Sequence, residues 1–379
     1  MLGTGPVQRG RGQFRAADLS APWRHVDAAL LVVTGVISVV GLVMVYSATR
    51  RFDGGAGVVA RQVVFVVAGV VAMAVVSLID YRRIADWWPL IYAGGIVLLL
   101  GVLTPLGSTV NGTRGWYQFG PVVLQPAEMG KLATIIAVAS FLGAVDRVDL
   151  PRLAAALGLI GAPVLLTLLQ PDLGSALVFI VAGLGMIVVA GVKLRHLAVL
   201  LLLGVAAVFA ILSSDTLDQY QKDRLLSFAS PDSVSEEAVY NVRQAQTAIS
   251  SGGLTGYGFG KGPSTRLGYV PAQQTDFIFT VAGEEFGFVG AGTLVLLYAV
   301  MVWRIWRNAQ MASDQMGVLL CVGVLCMLLF HIFENVGMNL GIMPITGIPL
   351  PLVSQGGSSV VATFLALGLV QSVHMHRFN

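Results

Sequence analysis

Long apolar runs alternate with short polar stretches along almost the whole chain. A run of about 20 apolar residues is long enough to cross the hydrocarbon core of a bilayer as a helix. The pattern therefore predicts an all-α polytopic membrane protein with ten transmembrane helices. These spans lie near residues 27–47, 58–79, 87–106, 126–144, 153–170, 173–191, 196–214, 276–303, 315–341 and 358–374.

Two polar segments interrupt this alternation. Residues 215–275 are predicted to form one long extracytoplasmic loop between helices 7 and 8, with a short amphipathic helical stretch in "YNVRQAQTAIS". Residues 342–357 carry three prolines and three glycines, so we expect an ordered re-entrant turn that is walled by protein rather than lipid. The predicted organisation is an N-terminal tail at 1–26, one transmembrane domain at 27–375 and a C-terminal tail at 376–379.

Composition supports a membrane protein over a soluble one. Hydrophobic residues make up 56% of the chain and charged residues only 11%, whereas a soluble domain is about 25% charged. The net charge of +3 is small, and no basic cluster is interleaved with aromatic residues, so no nucleic-acid partner is predicted. The two cysteines, Cys321 and Cys326, lie about 7.5 Å apart along one predicted helix, which is too far for a disulfide.

Basic residues in the short loops predict the orientation. Most of them fall on the side of the two termini, against only Arg50, Arg51 and Arg114 on the other side. Short cytoplasmic loops are the ones enriched in Lys and Arg. Both termini are therefore predicted to be cytoplasmic.

Ionisable residues at membrane depth are candidates for a functional site. Glu128 and Lys131 are spaced i, i+3, so they share a helix face and can pair with each other. The alternative is that they form a polar wall of a substrate cavity, with Lys131 facing a phosphate. Asp172 directly follows Pro171 at the start of a span, where capping of the helix explains it adequately.

Asp276 lies at the mouth of the eighth span and is the sharpest candidate. Helix is predicted to begin with or just after it, so capping is again the alternative, although Thr275 offers a second cap. Glu284 and Glu285 follow on the same span. As neighbours they point about 100° apart, so they cannot both face the centre of one cavity.

The ninth span carries His331 and Glu334, again spaced i, i+3, with Asn335 and Asn339 further along. This spacing alone is a weak indication of a metal site. Hydrogen bonding between helices is the favoured interpretation.

Seven segments carry a resemblance to the SEDS (shape, elongation, division and sporulation) family, which extends from about residue 28 to 375. They are "GLVMVYSA" (41–48), "NGTRGWYQFGPVVLQPAEMGK" (111–131), "QPDLGSALV" (170–178), "RLLSFASP" (224–231), "QTAISSGGLTGYGFGKG" (246–262), "TDFIFTVAGEEFGFVG" (275–290) and "NVGMNLGIMPITGIPLPLVSQGGSS" (335–359).

The resemblance implies a peptidoglycan glycosyltransferase in the bacterial cell (inner) membrane. Such an enzyme polymerises the disaccharide-peptide of lipid II on the extracytoplasmic face during cell elongation and releases polyprenyl pyrophosphate. The implied partners are a class B penicillin-binding protein transpeptidase and other proteins of the elongation machinery. The "NVGM" run favours the elongation paralogue over the division paralogue, which has the same chemistry.

The resemblance also implies roles for individual residues. The aspartate held essential for polymerisation in this family corresponds to Asp276, and Glu128, Lys131, Arg114 and Trp116 match neighbouring family motifs. Ala127 and Gln355 depart from the usual Ser and Tyr, which puts local hydrogen bonding in doubt. The remaining motif residues, expected to be structural, are Gln125, Pro126, Asp172, Pro349, Pro351, Ser354, Gly356, Gly357 and Ser358.

The implied chemistry suggests a division of labour. Asp276 would act as general base on the acceptor 4-hydroxyl. Lys131, Arg114, Lys261 and, more weakly, Arg243 are candidates for contact with the pyrophosphate, and Glu128 would orient Lys131. No cofactor is predicted with certainty; a divalent cation could share the work, although the sequence shows no ligand set for one.

Two other functions fit an apolar chain with intramembrane charges. One is a flippase or transporter for a lipid-linked precursor, and the other is a non-catalytic scaffold for the penicillin-binding protein. The clustering of charged and glycine-rich segments on the predicted outer side argues against transport.

Overall fold

The computed structural model describes residues 25–378 except for 52–53, 111–112, 121, 146, 201, 203 and 205–235. Within these residues, helices occupy nine of the ten predicted spans. The seventh predicted span, 196–214, lies largely outside the described residues, so the count of ten stays a prediction. The helices are α1 (Ala28–Thr49), α2 (Gly55–Leu78), α3 (Tyr81–Asp86), α4 (Trp88–Val102), α5 (Pro126–Gly143), α6 (Leu150–Leu169), α7 (Leu173–Val189), α8 (Glu236–Ser251), α9 (Pro263–Leu267), α10 (Ile278–Gln310), α11 (Gln315–Leu340) and α12 (Gly357–Met375).

Six of these helices are both long enough and apolar enough to cross a membrane, namely α1, α2, α6, α10, α11 and α12. Within the most apolar 18-residue stretch of each helix, 89% of α12 is buried, whereas only 17% of α2, which packs against it, is buried. A helix that is apolar all round belongs either in a protein interior or in lipid. Helix α12 is therefore the central helix, and α2 turns most of its valine-rich surface outwards.

A small sheet departs from the predicted all-α fold. Strands β1 (Ser108–Val110), β2 (Thr113–Phe119) and β3 (Val122–Leu124) pair antiparallel in the order β1-β2-β3, between α4 and α5. This stretch is rich in β-branched and aromatic residues, which favour strands. Its runs are too short to stand out beside twenty-residue spans, so the prediction of an all-α chain was wrong here.

The predicted eighth span is broken at Gly287, which has φ 64° and ψ −162°. Only glycine adopts this backbone conformation without large strain. Residues 252–262, which we call the glycine-rich loop, pack into the break. The amides of this loop at Tyr257 and Gly258 donate to the carbonyls of Glu284 and Glu285, at 3.1 and 2.9 Å.

The two neighbouring glutamates before the break point to different partners, as their separation of about 100° predicts. The Glu284 carboxylate accepts hydrogen bonds from the amides of Ser264 and Thr265 at the start of α9, at 2.6 and 2.9 Å. The Glu285 carboxylate accepts one from the Ser47 hydroxyl of α1 at 2.6 Å. Both side chains are fully buried and fasten the short segment 278–286 to its surroundings.

Arginines at the end of α1 hold the same block. Arg50 donates to the carbonyl of Gly260, and Arg51 donates to that of Thr265 at 3.2 Å. The predicted amphipathic stretch is confirmed as α8, whose Ala245 is buried in a small cluster. Residues 236–287 thus form a packed cap over the end of the bundle at which α1 ends.

Charged contacts also fasten the opposite end of the bundle, at which α1 begins. Asp27 pairs with Arg304 at 2.7 Å, and Asp314 pairs with Arg82 at 2.8 Å. Burial opposes ionisation of Asp314, but hydrogen bonds from the Gly317 amide and from Arg82 outweigh it and hold its pKa below the usual value.

Candidate active site

A polar cavity of about 430 Å³ opens at the end of the bundle that the 236–287 cap covers. Its walls come from α2, the sheet, the start of α7, the turn before α10, the loop between α11 and α12, and the start of α12. We refer to this loop, residues 341–356, as the 341–356 loop. The cavity is lined by Val58, Arg61, Gln62, Phe65, Trp116, Val123, Gln125, Asp172, Thr275, Asp276, Thr346, Gly347, Pro349, Gln355, Gly356, Gly357, Ser358 and Ser359.

Asp276 lies half-buried in this cavity, in a turn that precedes α10. Helix α10 begins at Ile278 with Phe277 at its N-cap position, so Asp276 lies one residue before the cap position. A Cβ at Gly347 would lie 3.6 Å from Oδ2 of Asp276. The carboxylate therefore faces the backbone of the 341–356 loop, where the absence of a side chain at Gly347 leaves room.

The turn that carries Asp276 is held through three successive carbonyl groups. The carbonyl of Gln274 accepts from the Gln355 amide at 2.8 Å, and that of Thr275 accepts from the Ser354 hydroxyl at 2.5 Å. The carbonyl of Asp276 accepts from two side chains of α11, described below. The predicted structural motif at 354–358 thus directly supports the candidate base.

Gln125 and Asp172 meet at the cavity floor. The Gln125 side chain donates to Oδ2 of Asp172 at 3.2 Å. The main-chain N–H of Gln125 donates to the Ser358 hydroxyl at 2.9 Å. Oδ1 of Asp172 accepts from the Ser175 amide at 2.9 Å, which confirms the predicted helix cap. Pro126 begins α5 next to Gln125.

Some of the other motif residues line the cavity, and one of them contacts a buried side chain instead. Pro349, Gly356 and Gly357 line the cavity, whereas the carbonyl of Pro351 accepts from the buried Tyr298 hydroxyl at 2.6 Å.

Glu128 and Lys131 form the predicted pair, with 2.8 Å between Nζ of Lys131 and Oε1 of Glu128. Nζ of Lys131 also lies 3.1 Å from Nε2 of His331 on α11. All three side chains are buried, and none of them lines the cavity that holds Asp276. The pair joins α5 to α11 beside the cavity.

His331 and Glu334 do not converge on a common site. His331 contacts Lys131, whereas Glu334 accepts from the Thr346 hydroxyl at 2.9 Å. Hydrogen bonding between elements, the favoured interpretation of this spacing, is confirmed.

The remaining predicted substrate-binding residues lie around the cavity rather than together. Trp116 of β2 lines it. Arg114 is exposed and donates to the carbonyl of Thr104 at 2.9 Å. Lys261 and Arg243 are exposed on the 236–287 cap and do not line the cavity.

Sequence reasoning missed Arg61 and Gln62. Of the described residues that line the cavity, Arg61 is the one basic residue. Gln62 is buried; its amide nitrogen donates to the Ser354 carbonyl at 3.2 Å and its oxygen accepts from the Gly356 amide at 3.3 Å. The signal was present, since both are polar residues inside an apolar span.

Comparisons with known proteins show which family this chain resembles in sequence and in fold. The model of the family FtsW/RodA/SpoVE, described as cell cycle protein, matches residues 25–379. The peptidoglycan glycosyltransferase MrdB of Escherichia coli strain K12 is 34% identical, over 93% of this chain and 94% of MrdB.

Two solved structures are also similar. A chain of a peptidoglycan synthase complex that coordinates polymerization and crosslinking superimposes with a TM-score of 0.80 at 31% identity, over 93% of this chain and 99% of that one. The rod shape determining protein RodA of Thermus thermophilus superimposes with a TM-score of 0.72 at 31% identity, over 94% and 99% of the two chains.

Proposed function

Because this chain belongs to the FtsW/RodA/SpoVE family of cell cycle proteins, also called the SEDS family, we infer that it is a multi-pass membrane peptidoglycan glycosyltransferase. We propose that it polymerises glycan strands from lipid II during cell elongation. Each step would transfer a disaccharide-peptide from polyprenyl pyrophosphate to the 4-hydroxyl of a sugar at the end of the acceptor.

The position of Asp276 in a cavity that polar side chains help to line carries this proposal. In the proposed step, the acceptor hydroxyl oxygen bonds to the anomeric carbon as the bond from that carbon to the pyrophosphate oxygen breaks. Asp276 accepts the hydroxyl proton as general base, and the pyrophosphate leaves with the bonding electron pair. Attack opposite the leaving group inverts the anomeric carbon.

We assign to Arg61 the role of stabilising the negative charge that grows on the leaving pyrophosphate. A guanidinium offers several donors in a fixed plane and suits phosphate oxygens, and Arg61 lines the same cavity as Asp276. The buried contacts of Lys131 with Glu128 and His331 support a role in fixing α5 against α11. Anionic groups of the substrate that lie beyond the cavity are assigned to three exposed basic residues, which would bind them: Arg114, Lys261 and Arg243.

We place the reaction on the extracytoplasmic face of the cell membrane and pair the enzyme with a class B penicillin-binding protein. The charge bias of the short loops supports the face. The similarity to a chain of a peptidoglycan synthase complex supports the partner.

The test is lipid II polymerisation by Asp276→Asn, purified together with its transpeptidase partner in detergent. Loss of a general base should lower the rate by about 10²- to 10⁴-fold. Glycan strands formed in detergent cross no membrane, so activity of the unaltered protein there also separates polymerisation from transport.

Asp172→Asn is the matched control, since Asp172 is the other acid that lines the cavity in the part of the chain that the structure describes. Asparagine caps a helix about as well as aspartate, and the Gln125 side chain can turn its oxygen toward the new NH₂ group, so this variant should retain most of the rate. An Asp276→Asn protein that polymerises lipid II as fast as the unaltered protein would overturn the assignment of the base.

A further inference from the structure

Asn335 of α11 donates hydrogen bonds to both walls of the cavity. Its Nδ2 lies 2.8 Å from the carbonyl oxygen of Asp276 and 2.9 Å from that of Ile348. The first carbonyl belongs to the candidate base. The second lies between Gly347 and Pro349, which both line the cavity.

Asn339, one helical turn further along α11, supports the same point. Its Nδ2 donates to the Asp276 carbonyl at 3.1 Å and to the Asn335 carbonyl at 2.8 Å. Both asparagines are fully buried, and neither lines the cavity. They therefore contact the backbone of the base without reaching the substrate.

The side-chain amide of Asn335 supplies the two hydrogen-bond donors that this part of the site needs. Two backbone carbonyls that meet away from water need donors, and a single NH₂ group offers two. A shift of about 1 Å in a reacting group can lower a rate a hundredfold. A bond that ties the Asp276 backbone to the opposite wall would limit such a shift.

We propose that Asn335 is the positioning residue for the general base, with Asn339 as its support. It sets the distance between the Asp276 turn and the 341–356 loop, so the carboxylate points at the acceptor hydroxyl when substrate arrives. This proposal rests on the proposed role of Asp276 as base.

The principal experiment measures kcat and KM for lipid II polymerisation by Asn335→Asp in detergent. This variant keeps the side-chain volume but offers at most one donor, the proton of a neutral carboxyl, so at least one of the two carbonyls loses its hydrogen bond. Turnover is normalised to the protein that binds lipid II, measured by binding stoichiometry, so that loss of folded protein does not count. We expect kcat to fall by about 10- to 100-fold with little change in KM.

Asn308→Asp is the matched control for burying an altered asparagine. Asn308 is also fully buried in a helix and donates to Asp27 at the opposite end of the bundle, at 3.0 Å. Its normalised kcat should stay within about twofold of the unaltered value, because mutations at distant, independent sites do not couple. An equal loss of kcat in both variants would show a general packing effect and overturn the proposal.

Asn339→Ala decides the matter if Asn335→Asp fails to fold. It removes one of the two donors to the Asp276 carbonyl and leaves the Asn335 bonds in place. A normalised kcat lowered severalfold at unchanged KM supports positioning, whereas an unchanged kcat overturns it. The outcome is separate from the test of the base itself, because full activity of Asp276→Asn would refute the proposed function whatever the asparagine variants do.

Discussion

At the scale of single residues, main-chain groups make many of the hydrogen bonds that hold the turn of the candidate base. Gln355 departs from the usual tyrosine of the resembling family, yet its contact with the Asp276 turn is made by its main-chain amide. Ser354 differs, because its hydroxyl donates to the Thr275 carbonyl and accepts from the Leu350 amide at 2.8 Å. The departure at Gln355 therefore leaves the hydrogen bonding of this turn intact.

We expect Ser354→Ala to lower the free energy of unfolding in mild detergent by about 1–3 kcal/mol, because it leaves a buried amide and carbonyl without their partner. Gln355→Tyr, which keeps the main-chain amide, serves as the control and should leave the stability unchanged. Denaturant titration of the two purified variants measures this difference. Equal stability of Ser354→Ala and the unaltered protein would contradict the importance of the hydroxyl.

At the scale of elements, the break in α10 explains why carboxylates occur inside an apolar run. The segment 278–286 is a separate short helix, and the longer part after Gly287 is free of carboxylates as far as Gln310. Glycine-rich backbone occupies the break, with the carbonyls of Gly253 and Leu254 accepting from Phe288 and Val289, at 2.9 and 3.1 Å. The glycine-rich loop thus replaces helix hydrogen bonds on both sides of the break.

Gly287→Ala should destabilise the fold by about 1–3 kcal/mol or more, since a residue with a side chain is strained at this φ and ψ. A Cβ there would also lie 2.6 Å from the carbonyl oxygen of Leu254. Gly292→Ala is the control, because it lies in the same helix with nothing within 4 Å of its Cβ position. The unfolding midpoint in detergent and the yield of monodisperse protein should drop for the first variant alone.

At the scale of the whole molecule, polar chemistry concentrates at one end of an apolar bundle. The cavity and the 236–287 cap lie at the end at which α1 ends, while the Asp27–Arg304 and Asp314–Arg82 pairs lie at the other. At the cavity end, Arg50 and Arg51 bind carbonyls of the cap. This asymmetry suits an enzyme that meets its substrate from one side.

Cysteine labelling in intact cells tests the predicted orientation. Thr255 is exposed on the cap, and Arg83 is exposed in α3 at the opposite end. We therefore choose the variants Thr255→Cys and Arg83→Cys. A membrane-impermeant maleimide should label only the first variant until the cells are permeabilised. The unaltered chain serves as the blank, since Cys321 and Cys326 lie within α11. Labelling of Arg83→Cys alone would show that the orientation is the reverse of the predicted one.

The sequence by itself determined the apolar spans, the i, i+3 spacing that lets Glu128 and Lys131 pair, the cap at Asp172 and the position of Asp276 just before a helix. These features depend on local spacing and on the cost of placing polar groups in lipid, both of which are visible along a linear chain. Resemblance to a known family added the chemistry, which apolar composition alone does not specify.

Only the tertiary structure decided which of the candidate residues share one cavity. It brought Arg61 and Gln62 of α2 beside Asp276, kept Lys131 in a buried pair outside the cavity, and broke the eighth span at Gly287. These outcomes depend on contacts between segments more than two hundred residues apart and on backbone strain that glycine alone tolerates. Hydrophobic periodicity carries information about the face of one helix, not about which other segment meets that face.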